Sequence, residues 1–349
     1  MKAARFEGID RIVYGDVPEP EMDDDSILIK VHACAICGSD IRILHSGNDR
    51  VQYPQIPGHE FSGDVVAVGA NVTKFQKGDR VAVGADVPCG ECEYCEAGHG
   101  NNCMINYAIG YQFPGGFAQY VKLNRTVVDH GPVHKLPDHV TYDEAALAEP
   151  LGCILNALFL TRVELNDTAV IIGAGPLGIM MIQVLRRMGA GKIIMVQRSR
   201  PRLELAKNFG ADVYICSSEE DAISRVKEET HGQGAQIVIT ANPSASTHRD
   251  ALEMAANRGR VMLFGGLPKG SEVTLDTNLI HYKELSVIGA HGATPDHHRQ
   301  AVNMIAGGLI DMNRYITGKF PLSEVEEAFK VSEGHEGLRV ILHPWEGLE

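Results

Sequence analysis

The segment Gly173-Ala-Gly-Pro-Leu-Gly178 constrains the fold of this chain more than any other. It follows an apolar stretch, residues 169–172, that predicts a buried strand, and it opens a helical pattern over residues 176–188. Glycines at this spacing permit a tight turn and let a pyrophosphate approach the backbone at the free N–H groups of the helix. The segment therefore predicts a dinucleotide-binding site formed by Gly173, Gly175, Pro176, Leu177 and Gly178.

Strands and helices alternate throughout the region that contains this motif. This alternation predicts a parallel sheet covered by helices on both faces, so an accidental glycine-rich turn is the weaker interpretation of the motif. Further strands are predicted at residues 192–196, 213–215, 236–239, 260–264 and 286–288, and further helices at residues 201–209, 219–229 and 246–256.

The rest of the chain has a different organisation, and a length of 349 residues favours two domains. We expect a dinucleotide-binding domain of residues 151–289, inserted into a first domain of residues 1–150 and 290–349. The first domain is β-rich at its start, with loops that hold most of the cysteines and histidines. Its elements are predicted as strands at residues 27–31, 63–68, 80–83 and 338–342, and as helices at residues 295–307 and 323–333.

The end of the second strand of the dinucleotide domain bears on cofactor choice. NAD-dependent enzymes place an acidic residue there, about 20 residues after the glycines, to bind the ribose. Here Gln197 takes that place, and Arg198, Arg200 and Arg202 follow it. Guanidinium groups pair with a 2′-phosphate that a carboxylate would repel. The turn favours NADP(H), bound by Arg198 first and Arg202 second; NAD(H) remains possible, with Gln197 bonding the ribose and the arginines solvated.

Four cysteines are closely spaced in the pattern Cys89-x2-Cys92-x2-Cys95-x7-Cys103. Four thiolates at this spacing close a tetrahedral zinc site with no open position, which predicts a structural zinc in a lobe at about residues 86–106. An iron–sulfur cluster is the second interpretation, but no Cys-Pro follows and the surroundings are β-rich. Unliganded thiols are the third.

A second group of possible ligands is spread over three segments, Cys37-Gly-Ser-Asp40, Gly58-His-Glu60 and Glu149-Pro-Leu-Gly-Cys153. A catalytic zinc takes three protein ligands and leaves one position open, and Cys, His and Glu supply suitable atoms. A lone Cys or His is more often simply buried. Asp40 is placed to orient the ring of His59.

Composition restricts the partners and the location of the protein. The net charge of −13 repels nucleic acid and anionic lipid. The chain shows no secretory signal and no stretch of about 18 apolar residues. We therefore expect a cytoplasmic protein without nucleic-acid or membrane partners, in which cysteines serve as ligands or thiols rather than disulfides.

Taken together, these motifs resemble the zinc-containing medium-chain dehydrogenase/reductase superfamily, with Gly78-Asp-Arg-Val81 and Gly115-Gly-Phe-Ala-Gln-Tyr120 adding to the likeness. The pattern is most similar to the polyol branch, which includes sorbitol and galactitol-1-phosphate dehydrogenases. The resemblance covers nearly the whole chain. It implies an α/β protein with a GroES-like β-rich catalytic domain, a Rossmann domain with a doubly wound parallel sheet, an active site in the cleft between them, and a homodimer or homotetramer.

The resemblance also implies roles for individual residues. Cys37 and His59 would bind the catalytic zinc, with Glu149 or Glu60 supplying the carboxylate, and Cys153 lies close enough in sequence to compete. Ser39 would pass the proton of the substrate hydroxyl toward solvent as hydride moves to the nicotinamide. Many relatives continue this relay with a histidine where this chain has Arg42, which cannot act as a base. His45 is a nearby substitute in sequence.

The implied reaction is reversible hydride transfer between a nicotinamide cofactor and a secondary alcohol or ketone, with a polyol or polyol phosphate as the expected substrate. An L-threonine 3-dehydrogenase or a simple secondary-alcohol dehydrogenase is an alternative within the family. A non-catalytic, redox-sensing protein with structural zinc alone is an alternative of another class. The zinc content separates them, since an enzyme of this family would hold two zinc ions per chain.

Overall fold

The computed structural model describes residues 1–334 and 336–347, which divide into two compact units. The catalytic unit comprises residues 1–153 and 292–349, and the nucleotide unit comprises residues 154–291. The strands are β1 (Lys2–Gly8), β2 (Arg11–Asp16), β3 (Ile27–Ala35), β4 (Phe61–Val68), β5 (Arg80–Val83), β6 (Asp86–Val87), β7 (Tyr107–Ala108), β8 (Tyr120–Leu123), β9 (Val133–Lys135), β10 (Thr168–Ile172), β11 (Lys192–Gln197), β12 (Val213–Cys216), β13 (Ala235–Thr240), β14 (Ala255–Leu263), β15 (Ser286–Gly289), β16 (Ile316–Pro321) and β17 (Arg339–His343).

Twelve α-helices are present in the described residues, and several of the predicted site residues lie on them or at their N-termini. They are α1 (Gly38–Ser46), α2 (Glu93–Glu96), α3 (Arg125–His130), α4 (Tyr142–Ala146), α5 (Ala148–Thr161), α6 (Pro176–Met188), α7 (Arg200–Ala206), α8 (Ala222–Glu229), α9 (Ala245–Met254), α10 (Thr277–Lys283), α11 (Pro295–Ala306) and α12 (Val325–Glu333). None of them, within the residues described, combines the length and the apolar character needed to cross a membrane.

The catalytic unit is built around a mainly antiparallel sheet of seven strands. Its order is β16-β17-β3-β4-β5-β9, with β8 also paired to β3. Apolar side chains from these strands and from neighbouring elements form one core, in which Phe6, Phe61 and Phe117 are fully buried. Strand β3 ends at Ala35, β4 begins at Phe61, and β17 pairs with the end of β3. This pairing brings residues that are distant in sequence to one edge of the core.

The nucleotide unit contains a six-stranded parallel sheet in the order β12-β11-β10-β13-β14-β15. The strand order reverses between β10 and β13, which makes this a doubly wound sheet. In such sheets ligands bind beyond the carboxyl ends of the strands at the reversal. Ile172 at the end of β10 is paired with Val196 of β11 and with Thr240 of β13, so three strand ends lie side by side.

Several predicted boundaries were wrong, and helix caps explain one of them. The helix expected from residue 219 begins at Ala222 because the Asp221 side chain accepts a hydrogen bond from the backbone N–H of Ser224. Strand β14 begins at Ala255, earlier than residue 260, since Ala255 pairs with Ala235 before the register shifts. Helices α1 to α5 and α10 were not predicted.

Candidate metal centres and cofactor site

The four cysteines of the lobe lie together in space. Their Sγ atoms are all within 4.8 Å of one another, with separations of 3.4 Å for Cys92–Cys95, 3.9 Å for Cys89–Cys95 and 4.0 Å for Cys92–Cys103. A tetrahedron with Zn–S bonds of about 2.3 Å has edges of roughly 3.8 Å, so the cluster fits a zinc ion. None of the four is in a disulfide.

The lobe stabilises thiolates through its own backbone. The N–H of Cys89 donates to Cys103 Sγ at 3.3 Å. Backbone N–H groups, that of Met104 above all, lower the pKa of Cys92 to about 6. Because a thiolate is the form that binds zinc, these contacts prepare the lobe for the metal.

The second candidate metal centre starts at the N-terminus of α1. Cys37 is the N-cap residue, and its backbone N–H donates to Asp40 Oδ2 at 2.9 Å, which holds the first turn closed. Asp40 is fully buried, and its Oδ1 atom lies 3.4 Å from Nδ1 of His59. The carboxylate therefore orients the His59 ring and leaves Nε2 on the opposite side available to a metal.

Cys37, His59 and Glu60 form a compact group whose ligand atoms all lie within 4.8 Å of one another. Ser39 faces the same place, with its Oγ atom 3.3 Å from His59 Nε2. Glu60 is fully buried and makes an ion pair with the buried Arg339 of β17. Both carboxylate oxygens of Glu60 lack a hydrogen bond of good geometry. These under-satisfied polar atoms fit a catalytic zinc bound by a thiolate, an imidazole and a carboxylate.

Glu149 lies outside that compact group, although its charge interacts with Cys37 and His59. It is buried in α5, and the Cys153 thiol donates to its Oε1 atom at 3.4 Å. Desolvation raises the pKa of Glu149 to about 8. The site thus contains two carboxyl groups with different partners: Glu60 is paired with Arg339, and Glu149 accepts a hydrogen bond from the Cys153 thiol.

The charges around Cys37 favour its ligand form. Desolvation alone would raise the pKa of the thiol, but the His59 ring and the Arg339 guanidinium outweigh it and lower that pKa to about 6. For His59, desolvation is likewise outweighed, and the Asp40 carboxylate raises the pKa of the ring. These charges favour a Cys37 thiolate beside a protonated His59 ring, and zinc binding to that ring would release its proton.

Sequence reasoning missed Arg339 and Tyr111. The Tyr111 ring lies 6.0 Å from the His59 ring. An arginine inside the apolar terminal strand was a usable signal, because buried arginines are almost always paired. His45, the suggested relay, is instead held at the surface by Asp10 and by Glu333.

The glycine motif forms the turn between β10 and α6. Gly173 has φ of +119°, a conformation that disfavours other residues, and a Cβ on Gly178 would collide with the Gly173 carbonyl oxygen. Gly175 is the N-cap of α6, Pro176 is at its first turn, and Leu177 follows on a half-buried face. The free N–H groups of this helix end suit a phosphate.

The three arginines of the basic turn after β11 make different contacts. Arg200 pairs with Glu219 on the surface, and Arg202 donates from Nε to the Ala174 carbonyl at 2.7 Å. Gln197 also supports the glycine turn, because its Oε1 atom accepts from the Ala174 N–H at 2.9 Å. Arg198 is exposed.

A cavity of about 320 Å³ opens beside this turn at the ends of β10, β11 and β13. Arg198 lines it, whereas Arg200 and Arg202 do not; Asp250 is the acidic residue in its wall. The cavity is lined by Gly173, Gln197, Arg198, Ser217, Asn242 and Asp250, among others.

Family models match both parts of the chain. The alcohol dehydrogenase GroES-like domain matches residues 23–138, and the zinc-binding dehydrogenase model matches residues 176–307. A D-arabitol-phosphate dehydrogenase of Enterococcus avium is 38% identical over 333 residues, which is 94% of this chain and 93% of the relative. The chain belongs to the zinc-containing medium-chain dehydrogenase/reductase superfamily. It is an NAD(P)-dependent alcohol dehydrogenase, and it is similar to the polyol branch.

Other relatives span the same length but carry different activities in their names. A sorbitol dehydrogenase of Bacillus subtilis strain 168 is 32% identical, covering 99% of this chain and 97% of the relative. An L-threonine 3-dehydrogenase of the same strain is 35% identical and covers 99% of both chains. Family membership therefore establishes zinc and nicotinamide chemistry on an alcohol, without selecting one substrate.

A crystal structure of a zinc-binding dehydrogenase from Sinorhizobium meliloti 1021 bound to NADP has a TM-score of 0.92 and 31% identity, covering 98% of this chain and 99% of the other. An alcohol dehydrogenase from Escherichia coli CFT073 complexed with NADH has a TM-score of 0.88 and 29% identity, with the same coverage of each chain. Structures of this kind thus hold either nicotinamide cofactor.

Proposed function

We propose that this protein oxidises a polyol or polyol phosphate at a secondary hydroxyl, with catalytic zinc bound by Cys37, His59 and Glu60 and with NADP(H) as the preferred cofactor. The observation that carries the proposal is the group of three ligand atoms within 4.8 Å. It supports Glu60 over Glu149 as the third ligand. The names of the arabitol-phosphate and sorbitol dehydrogenase relatives support the substrate class.

The chain's own residues prepare the site in three ways. Asp40 fixes the tautomer and orientation of His59, and Arg339 neutralises Glu60 within the core. Ser39 accepts the proton of the substrate hydroxyl at Oγ and at the same time passes its own hydroxyl proton on toward solvent, since Oγ lies at the metal-facing nitrogen of His59. When bound, zinc supplies Lewis-acid polarisation of the substrate oxygen.

Glu149 and Cys153 form a second buried pair beside the ligands. Since Glu149 holds its proton more tightly than a free carboxylate, it is suited to hydrogen-bond a neutral hydroxyl of the substrate. We assign it this supporting role, with Cys153 fixing its orientation through the 3.4 Å contact.

A substrate panel tests the reaction. The zinc-loaded protein is assayed with sorbitol, D-arabitol, their phosphate esters, 2-butanol and L-threonine, each with NAD and NADP, while metal analysis counts zinc. We expect two zinc ions per chain and the highest kcat/KM on a polyol or polyol phosphate. L-Threonine as the best substrate would move the protein to the alternative that its 35% identical relative supports. One zinc and no turnover would indicate a non-catalytic protein.

Cofactor preference rests on Arg198 and Gln197. The cavity wall holds a guanidinium and no acidic residue at the end of β11, where a carboxylate would repel a 2′-phosphate. A charge-assisted arginine–phosphate contact contributes about 1.5–3 kcal/mol, or roughly 10- to 100-fold in affinity. Arg202 has the lesser role, because it donates to the glycine turn.

Steady-state kinetics with both cofactors tests this preference. The Arg198→Ala and Gln197→Asp variants should each shift kcat/KM toward NAD by roughly 10-fold or more. Arg200→Ala is the matched control, since Arg200 is tied to Glu219 outside the cavity. A wild type that already prefers NAD tenfold would contradict the proposal and make Gln197 an uncharged ribose ligand.

We also propose that the protein is cytoplasmic and assembles as a homodimer or homotetramer, as the family resemblance implies. Light scattering of the zinc-loaded protein measures the assembly directly. A monomeric mass at micromolar concentration would contradict it.

A further inference from the structure

A half-buried arginine lies next to the catalytic metal centre, within the same unit. The guanidinium carbon of Arg50 is 4.6 Å from the centroid of the Tyr111 ring. That ring is in turn 6.0 Å from the ring of His59. A single aromatic side chain therefore separates Arg50 from the residues that face the substrate hydroxyl.

The guanidinium of Arg50 has no anionic partner of its own. Over the described residues, no carboxylate oxygen lies within 4.0 Å of its side-chain nitrogens, and its Nε atom is buried without a hydrogen bond. Arg339, the other arginine near the metal centre, is already paired with Glu60. A planar guanidinium in this situation is suited to bind a phosphate through two parallel hydrogen bonds.

The loop that carries Arg50 is held in place. Its backbone N–H donates to Asn48 Oδ1 at 2.9 Å, and the N–H of Val51 donates to the Asn48 carbonyl at 2.9 Å. Val51 is buried in the core of the catalytic unit. The position of Arg50 is therefore set before a ligand binds, which reduces the entropy lost on binding.

We propose that Arg50 binds the phosphate group of the substrate, and that the substrates are polyol phosphates rather than free polyols. The inference rests on the proposed function, which it narrows, because it takes the alcohol to be bound at Cys37, His59 and Glu60. A free polyol would leave the guanidinium without its anion, so the same contact that favours the ester discriminates against the unphosphorylated substrate.

The test compares each polyol with its phosphate ester in the Arg50→Gln and Arg50→Lys variants, using sorbitol with sorbitol 6-phosphate and D-arabitol with D-arabitol 5-phosphate. We expect R50Q to lower kcat/KM on the esters 10- to 100-fold, chiefly through KM, and to change it less than twofold on the free polyols. R50K should retain an intermediate rate, because it keeps the charge without the planar fork. Arg125→Gln, an exposed arginine of the same unit, is the matched control.

Other outcomes overturn the inference. A wild type that prefers free polyols, an R50Q variant that loses the same factor on both members of a pair, or selective loss of L-threonine turnover would each reject phosphate recognition by Arg50. If no polyol or ester is turned over, the proposed function fails separately. Calorimetry with sorbitol 6-phosphate then decides the inference. Binding to R50Q that is at least tenfold weaker than binding to the wild type supports it. Equal affinity for the two proteins, or no binding to the wild type, overturns it.

Discussion

The two candidate metal centres use cysteine in opposite ways. In the lobe, all four ligands come from one short segment, residues 89–103, and their stabilising contacts are largely backbone N–H groups. In the candidate catalytic centre, the possible ligands come from two distant segments, Cys37 and His59-Glu60, and they depend on side chains: Asp40 for His59 and Arg339 for Glu60. The first arrangement offers four thiol ligands and no open position. The second offers three different ligands, and the carboxylate oxygens of one of them, Glu60, lack hydrogen bonds of good geometry.

This difference teaches how the two centres should respond to substitution. A site made of four thiolates contributes directly to folding, because the metal replaces a local hydrophobic core. A site made of three different ligands with individual supports loses reactivity before it loses structure, since the sheet around it is stabilised by its own apolar core. Substitutions in each centre should separate these two responses.

The largest effect is expected at the catalytic centre. His59→Ala should lower kcat on the order of 1,000-fold or more, because several kcal/mol of electrophilic stabilisation depend on the metal. Zinc should fall from two to one per chain, while cofactor binding and the unfolding temperature stay close to wild type. His99→Ala, an exposed histidine in the lobe, should change none of these. Normal turnover in His59→Ala would remove the catalytic role of this centre.

The opposite response is expected at the lobe. Cys95→Ser should also remove one zinc, but its main result should be an unfolding temperature lower by roughly 10 °C. The remaining folded protein should keep most of its rate per catalytic zinc. Cys216→Ser, which changes a cysteine outside both centres, should keep two zinc ions. Full thermal stability with one zinc lost would show that the lobe is not structural.

A smaller effect is expected when the carboxylate beside His59 loses its charge. Asp40→Asn keeps an acceptor for the Cys37 N–H and removes the charge beside His59 Nδ1. We expect zinc affinity or kcat to fall roughly 10- to 100-fold with little change in unfolding temperature. Zinc titration and kinetics measure both, and Asp16→Asn at the surface is the control. An unchanged zinc affinity and rate would mean that His59 needs no carboxylate to orient it.

The smallest effect concerns a histidine pair outside both candidate metal centres, in which His298 is buried and His134 is half-buried. His134 and His298 approach within 2.8 Å at their Nδ1 atoms. Desolvation and then the charge of Arg299 lower the pKa of His134 to about 4, and desolvation together with His134 lowers the pKa of His298. Asp296, also on α11, acts weakly in the other direction on His134.

Because the His134 ring has a folded pKa of about 4 and protonates near pH 6.5 when unfolded, its contribution to stability is complete above pH 6.5 and is lost as the pH falls toward 4. We expect His134 to reduce the free energy of unfolding by on the order of 1–2 kcal/mol at pH 5. Denaturant titrations of wild type and His134→Gln measure the difference. The free energy of unfolding of Cys95→Ser should depend on pH in the same way as that of the wild type. If this pH dependence disappeared when the lobe lost its zinc, it would come from the metal site and not from the histidine pair.

The fold class and the family could be predicted from the sequence, whereas several individual elements and contacts could not. The α/β fold class, the zinc dehydrogenase family and the alternation of strands and helices in the nucleotide unit were confirmed. Helix α5 was missed, although it carries Glu149, because its apolar run lacks a clear helical period. The structure places His45, the suggested relay, at the surface, where Asp10 and Glu333 hold its ring. Arg200 lies at the surface, in an ion pair with Glu219.

By itself the sequence determined whatever depends on short spacing: the four-cysteine lobe, the glycine turn before α6, and the pairing of Cys37 with Asp40 at the start of α1. Only the tertiary structure decided which distant groups meet. Pairing of β17 with β3 brings Arg339 to Glu60, and loop packing brings Tyr111 and Arg50 to the metal centre. The physical reason is that a cap, a turn or a chelate loop is specified by a few consecutive dihedral angles, whereas a buried charge pair exists only when the whole core has packed and excluded water.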